Sequence, residues 1–194
     1  MLLPEGVAID SVSGGLSRAT GHYARRLSEL RELFQDREAV DRDMTSACNP
    51  IVYEVDEYRK QGSDIFFGTT AMWPGKVGNE YYMTRGHFHR QRDKAEVYYT
   101  QHGSGILLLA SREGQIRTVE MRPGVCAFIP PDWAHRSINT GDDKLVFVWV
   151  SNPDAGHDYG DILKSGMRKI VVESNGRPVV IDNPLWTNLG NPVT

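Results

Sequence analysis

The sequence predicts a mainly β protein, an antiparallel β-barrel with an N-terminal helix and peripheral strands packed around it. From Ile51 onward, short runs rich in Val, Ile, Tyr, Phe and Thr recur about every ten residues, separated by Gly, Pro, Asn and Asp. Ahead of them lies a stretch with helical rather than alternating apolar spacing. The chain of 194 residues is long enough for one sizeable core and carries no repeat or linker at which to divide it.

In chain order, SRATGHYARRLSELRELF places Tyr23, Leu27, Leu30 and Phe34 at three- and four-residue steps opposite Arg25, Glu29, Arg31 and Glu32, the pattern of an amphipathic helix. Acidic DREAVDRD continues that helix or opens a second short one, and Cys48-Asn49-Pro50 ends it. Strands are expected at 51–55, 64–73, 80–89, 95–101, 105–111, 116–121, 125–130, 135–139 and 145–151. KIVVE and PVVID flank Asn175-Gly176, a hairpin turn signal. The expected organisation is one domain over 1–194: an N-terminal helical segment (1–50), a barrel core (51–151), and a C-terminal loop and hairpin (152–194).

Hydrophobic content of 40% and charged content of 24% are those of an ordinary globular chain. A net charge of -3, with basic and acidic residues interleaved, gives no footprint for nucleic acid. The N-terminus has neither a basic region nor a sustained apolar run, and no window is long and apolar enough for a membrane, so a cytoplasmic protein is expected. Cys48 and Cys126 match no paired motif and are read as reduced, with Cys126 as a small core residue.

The chemistry-bearing signal is Gly86-His87-Phe88-His89. Two histidines two apart on a strand leave the same face, while Phe88 points the other way. The next strand carries Glu96, Tyr98 and Thr100 on one alternating face, so an antiparallel hairpin would bring Glu96 across from the histidine pair. His135, in PPDWAH, supplies a third imidazole at the mouth of a later strand. Three imidazoles and a carboxylate suit one divalent transition metal ion, Fe(II), Mn(II), Ni(II), Zn(II) or Co(II), with positions left open. Oxygen-seeking Ca(II) fits poorly.

This spacing resembles the two motifs of the cupin superfamily. His87-x-His89 leads to Glu96 and Gly103, and Gly124-x5-Pro130-x-Asp132-x2-His135-x3-Asn139 follows the second motif. Six residues separate His89 from Glu96 where three or four are usual, and Asp132 stands where the second motif has glycine. With NPIVYEV, TTAMWPGKVGNEYYMTRGHFH, KAEVYYTQHGSG, PPDWAHRSINTGDD and NPDAGHDYGDI, these features resemble the archaeal-type, metal-dependent cupin phosphoglucose isomerases, from about Pro4 to the segment near 186.

The resemblance implies a cupin (jelly-roll-like) barrel and interconversion of glucose 6-phosphate with fructose 6-phosphate, assisted by one divalent ion per subunit, foremost Fe(II), at His87, His89, Glu96 and His135. Such an ion polarises a carbonyl and stabilises developing negative charge. Glu96 is either ligand alone or also the base that moves a proton between C2 and C1; a direct hydride shift is the competing route. The resemblance also makes His157 in AGHDYG a proton carrier for ring opening or between O1 and O2, where an imidazole near its ordinary pKa would serve. It places Tyr53, Thr70, Thr84, Gly86 and Tyr159 at the substrate's phosphate end, Tyr98 near the sugar, and Ser151 where an aromatic residue is expected.

Arg85, Arg90, Arg92 and Lys94 around the histidine pair either raise the local potential or form a solvated loop. The other readings of the same donor set are an Fe(II) cupin dioxygenase and a non-enzymatic sugar-binding cupin. The apolar faces of LVFVWVS and GILLLAS exceed what one small lumen holds, which predicts a homodimer unless the N-terminal helix covers them.

Overall fold

A computed structural model describes residues 3–46 and 48–186; residues 1–2, 47 and 187–194, which the expected domain span includes, lie outside it. The strands are β1 Gly21–Arg26, β2 Ile51–Tyr58, β3 Phe66–Met72, β4 Lys76–Val77, β5 Glu80–Tyr81, β6 Phe88–His89, β7 Glu96–His102, β8 Gly105–Ser111, β9 Ile116–Met121, β10 Cys126–Ile129, β11 Trp133–Asn139, β12 Leu145–Ser151, β13 His157–Asp158, β14 Lys169–Ser174 and β15 Arg177–Asp182. Helical structure is a 3-10 helix Leu27–Leu33, α1 Arg37–Ser46 and α2 Gly160–Ser165. The mainly β, antiparallel class expected from the strand periodicity is what the chain adopts.

One wall of the barrel is the six-stranded sheet β1-β2-β3-β12-β7-β10. The other is β11-β8-β9, extended on the β11 side by the segment from Tyr82 to His89. Along the inner face of the larger sheet run Tyr53 and Val55 of β2, Thr70 of β3, Phe147 and Trp149 of β12, and Glu96 and Tyr98 of β7. The predicted alternation of Glu96, Tyr98 and Thr100 holds, with all three buried. β14 and β15 form the expected hairpin, with Asn175 and Gly176 both at positive φ (53° and 72°), as a two-residue turn requires.

The first helix expected from the sequence is not one element. Gly21–Arg26 is a strand, paired antiparallel with β2 from Gly21↔Glu57 to Arg26↔Ile51, and only Leu27–Leu33 is helical, in the tighter 3-10 form. Leu27, Leu30 and Leu33 are spaced by three, which in a helix of three residues per turn puts them on one line, and all three are buried. Tyr23 belongs to the strand: without it β2 would be an open edge, and ladder hydrogen bonds outweigh a helical spacing worth a few tenths of a kcal/mol per residue, roughly. DREAVDRD does open a separate helix, α1, whose start is capped by Asp36 Oδ1 accepting from the Ala39 N–H at 2.8 Å. Cys48 and Asn49, both left-handed, then end the helical segment before Pro50. Cys126 also departs from expectation: it faces outward on β10 and is exposed, with Ala127 and Ile129 taking the buried positions.

The N-terminal segment packs against β4, β5 and Tyr82. Phe34 meets Tyr82 edge-on with centroids 6.4 Å apart, and the Gln35 N–H donates to Glu80 Oε2 at 2.9 Å. Beneath it Arg136 is fully buried, donating through Nη2 to the Arg85 carbonyl at 2.7 Å. Glu80 is buried too, and burial lifts its carboxyl from 4.5 to about 7 against the opposing Gln35 N–H and Arg136 charge.

A raised carboxylate pKa means that the folded chain keeps a proton which the unfolded chain releases. The stability linked to Glu80 is therefore full below about pH 4.5 and falls as pH rises toward 7. Glu80→Gln should remove that slope, shifting the difference between variant and parent by on the order of 3 kcal/mol across the window. Urea unfolding of both proteins at the two pH values measures it; parallel curves would refute the assignment.

Candidate metal centre and substrate pocket

The register around Gly86 builds the site. His87 and His135 exchange backbone hydrogen bonds (3.3 and 3.1 Å), and the Thr84 N–H donates to the Ser137 carbonyl at 2.9 Å. Arg85 and Gly86 therefore stand opposite Arg136 alone, an extra residue that bulges the strand. Without it, alternation would put Thr84 and His87 on opposite faces; with it, Thr84, His87 and His89 all reach the lumen. Gly86 takes φ +74°, and a Cβ there would lie 3.2 Å from the His135 carbonyl oxygen and 3.1 Å from Arg136 Nε.

The four expected ligands converge, their donor atoms all within 4.8 Å of one another. The route differs from the expected hairpin. β6 pairs with β13, while Glu96 starts β7 on the opposite sheet and faces the histidines across the lumen. The six residues 90–95 make the crossing between walls.

Backbone carbonyls set two imidazoles. His89 Nδ1 lies 2.9 Å from the Lys94 carbonyl and His135 Nδ1 lies 3.2 Å from the Trp133 carbonyl. A carbonyl only accepts, so each Nδ1 carries hydrogen and each Nε2 turns to the lumen. His89 Nε2 is 3.1 Å and His135 Nε2 3.2 Å from the same Glu96 Oε2. His87 Nε2 is buried without a protein partner, and His135 Nε2 makes no hydrogen bond of good geometry. Nitrogen lone pairs aimed at a carboxylate oxygen repel unless a cation or a proton stands between them. A divalent ion fits this donor set, and so do these residue types.

Titration follows the crowding. Burial pushes His87 well below an ordinary imidazole, helped by His135, His157 and His89. Burial would raise the Glu96 carboxyl, yet His135 and His89 beside it prevail and hold it at about 2. Burial opposes protonation of His89, but Glu96 and the Lys94 carbonyl prevail and raise it.

His157 is brought to the same place, its ring centroid 4.2 Å from that of His87, edge to face, with its outer rim open to solvent. Its pKa is lowered rather than ordinary, first by burial of its lumen side and then by His135 and His89, against the pull of Glu96. Tyr53, Thr70, Thr84, Gly86, Tyr98 and Tyr159 all line the same cleft. Burial raises Tyr53, Tyr98 and Tyr159, so each presents a neutral phenol near pH 7. The cleft encloses a volume of about 190 Å³ and opens to solvent at its mouth.

Of the four basic residues near the histidines only Arg85 lines the cleft, its guanidinium 5.5 Å from the Tyr159 ring centroid. Arg92 pairs with Asp132 and Lys94 with Asp93. Ser151 is buried in the cleft wall, in register with Glu96. Sequence reasoning missed Tyr23, Phe66, Phe147 and Trp149 as lining residues. The odd-numbered alternation of Phe147, Trp149 and Ser151 was the available signal for two of them, whereas Tyr23 was hidden in the stretch read as helix.

A family model described as Glucose-6-phosphate isomerase (GPI) matches residues 24–186. The chain belongs to the glucose-6-phosphate isomerase family. It is 47% identical to a glucose-6-phosphate isomerase of Thermococcus litoralis, over 94% of this chain and 96% of that protein. It is 45% identical to one of Pyrococcus horikoshii, over 95% and 98%. A protein of Rhizobium meliloti described as putative glucose-6-phosphate isomerase 1 is 42% identical, over 94% and 87%. Among solved structures, a Bacillus subtilis oxalate decarboxylase overlaps 55% of this chain at 21% identity and a TM-score of 0.45, and this chain spans 27% of that one. The matched region runs from within β1, the strand that carries Tyr23 and Arg25, to the last described residue, Trp186.

The bulge predicts a specific failure. Gly86→Ala should cost about 1–3 kcal/mol in chemical unfolding, from a left-handed alanine with its Cβ against β11. It should also weaken Co(II) uptake, because His87 must move with the bulge. A variant as stable as the parent, with full uptake, would show that the register does not depend on glycine.

Proposed function

We propose that this chain is a glucose-6-phosphate isomerase that interconverts glucose 6-phosphate and fructose 6-phosphate at the cleft between its two sheets. The observation that carries this reading is one lumen with two kinds of lining: His87, His89, Glu96 and His135 in one cluster, and phenols and threonine hydroxyls beside it. An Fe(II)-dependent dioxygenase or a sugar-binding cupin would use the metal cluster but leaves the family match over 24–186 unexplained.

We assign His87, His89, Glu96 and His135 as ligands of one divalent ion, Fe(II) by preference, with Zn(II), Mn(II), Ni(II) and Co(II) suited to the same mixed nitrogen and oxygen set. When bound, the ion supplies Lewis-acid polarisation of the open-chain carbonyl. Glu96 is the base that takes the C2 proton and returns it to C1, using the oxygen not engaged in ligation. His157, neutral because its pKa is lowered, accepts and returns the hydroxyl proton between O1 and O2. Thr70, Thr84, the Gly86 N–H, Tyr53 and Tyr159 hold the phosphate by neutral donors, with Arg85 adding charge at its rim. Tyr98, its ring 5.7 Å from that of His135, orients the sugar.

One continuous apolar cluster runs from Leu27 to Val171, which supports reading the chain as a single domain. Among the described residues no helix is long and apolar enough to cross a membrane, and we place the protein in the cytoplasm, where sugar phosphates of glycolysis and gluconeogenesis are handled. We further propose a homodimer. The N-terminal helices pack on β1, β4 and the Glu80–Tyr82 segment, and Phe128, Tyr99 and Val150 remain exposed on neighbouring strands of the six-stranded sheet.

A coupled isomerase assay before and after chelation tests the metal and the activity together. Chelation should abolish most turnover and one added divalent ion should restore it, and activity indifferent to chelation would refute the assignment. Glu96→Gln should lower kcat by about 10^2 to 10^4-fold. Product formed in heavy water should carry deuterium at C1; product without it would remove Glu96 as the base in favour of hydride transfer. For the assembly, Phe128→Asp should convert a dimer into a folded monomer in sedimentation equilibrium, and a monomeric parent would end that part of the proposal.

A further inference from the structure

Asp132 stands in the left-handed region at φ 63°, where the second motif of the cupin superfamily has glycine. Asp is among the few side chains that tolerate this region, so its contacts rather than its φ single it out. Its carboxylate accepts from Arg112 Nε at 2.9 Å and from Arg92 Nε at 2.9 Å. Arg112 follows β8 directly, and its guanidinium also reaches Asp158 Oδ2 at 3.5 Å and lies 4.0 Å above the centre of the Phe88 ring.

These three contacts share a logic. β6 and β13 form a two-stranded ladder in which Asp158 is opposite Phe88 and His157 is opposite His89. Alternation turns His89 and His157 into the lumen and Phe88 and Asp158 out of it. Arg112 covers that outer face, stacked on one strand and ion-paired to the other. Through Asp132 it is also tied to the turn entering β11, three residues before His135. Arg112 thus joins, from outside the lumen, the segment of His87 and His89, the strand of His157 and the turn before His135.

We propose that Arg112, anchored by Asp132, is a positioning residue that clasps the outer face of the β6–β13 ladder to the turn before His135 and thereby fixes how His87, His89 and His135 meet at the ion and where His157 stands beside them. The inference rests on the metal reading given above. Single exposed ion pairs contribute little, but this guanidinium is planar, about a quarter exposed, and makes a stack and two carboxylate contacts at once. Contacts that orient metal ligands from behind are worth about 10- to 100-fold in affinity when removed.

The test is Co(II) binding by chelator competition, with the d–d absorption spectrum and steady-state kinetics, on the full chain. Arg112→Ala should weaken Co(II) binding about tenfold, broaden or shift the d–d bands, and lower kcat with little change in KM. Arg112→Lys should stay impaired, because a point charge cannot stack and fork. Asp132→Gly is the decisive variant. Glycine suits φ 63°, so if Asp132 only fills a turn the variant is as stable or more so and binds Co(II) unchanged, which would overturn the proposal. The clasp instead requires weakened Co(II) binding in Asp132→Gly despite retained stability, and no further loss when Arg112→Ala is added. If Arg112→Ala loses only thermal stability, with affinity and spectrum intact, the clasp is overturned. A parent chain that binds no Co(II) overturns the metal reading itself.

Discussion

The register that sets His87 opposite His135 is the constraint from which the rest of the site descends. An antiparallel pair at this point brings two imidazoles from distant parts of the chain within 4.4 Å, centroid to centroid. It works only because Gly86 absorbs one surplus residue just before it. A slip by one position would send His87 and His89 outward and bring Phe88 into the lumen. Arg136 anchors the bulge from behind by holding the Arg85 carbonyl, and its own side chain is fully buried beside the Glu80 carboxylate. The site's geometry thus depends on packing several layers away from it.

Electrostatics in the lumen follow from the same arrangement. Each barrel wall contributes groups that would repel one another if left alone: imidazole nitrogens from one side, a carboxylate from the other. Two carbonyls, of Lys94 and Trp133, remove the freedom of the rings to turn away. Such preorganised discomfort is how proteins hold a place for a cation, since the donors cannot relax by rotating. The neighbouring phenols, all made harder to ionise by burial, supply hydrogen-bond donors without adding charge that would compete for the ion.

Much of this was legible in the residues. Period-two runs locate most of the barrel strands between Ile51 and Ser151, and the Asn175-Gly176 turn fixes its hairpin, but the one strand expected at 80–89 is two short ones, Glu80–Tyr81 and Phe88–His89, because the surplus residue at Gly86 breaks the ladder between them. The four-donor cluster and the six pocket residues carried by the family resemblance converge in space. What escaped had physical causes. Tyr23 falls in a helical spacing, but β2 had an edge to satisfy, and pairing is decided by the partner strand rather than by the segment itself. Leu27, Leu30 and Phe34 are buried as their spacing predicts, but Leu33, which that spacing leaves out, is buried with them, because a run spaced strictly by three fits the tighter helix. Cys126 is small and apolar, yet register places it outward. Glu96 was placed by a local hairpin that does not form, since nothing in the intervening loop says that it crosses the barrel.

That crossing has a mechanical side. Glu96 grows from the six-stranded sheet and the three histidines from the other wall, so any ion they share would rivet two halves that otherwise meet through apolar packing and a few hydrogen bonds such as that from Asn139 to the Met72 carbonyl. Barrel breathing, in which the sheets part transiently, would then have to break coordinate bonds as well as expose side chains. An ion at a hundred times its dissociation constant adds about 2.7 kcal/mol against such opening. The catalytic cleft and the resistance of the shell to heat would be governed by one and the same occupant, and the pocket would be most rigid when it is ready to turn over.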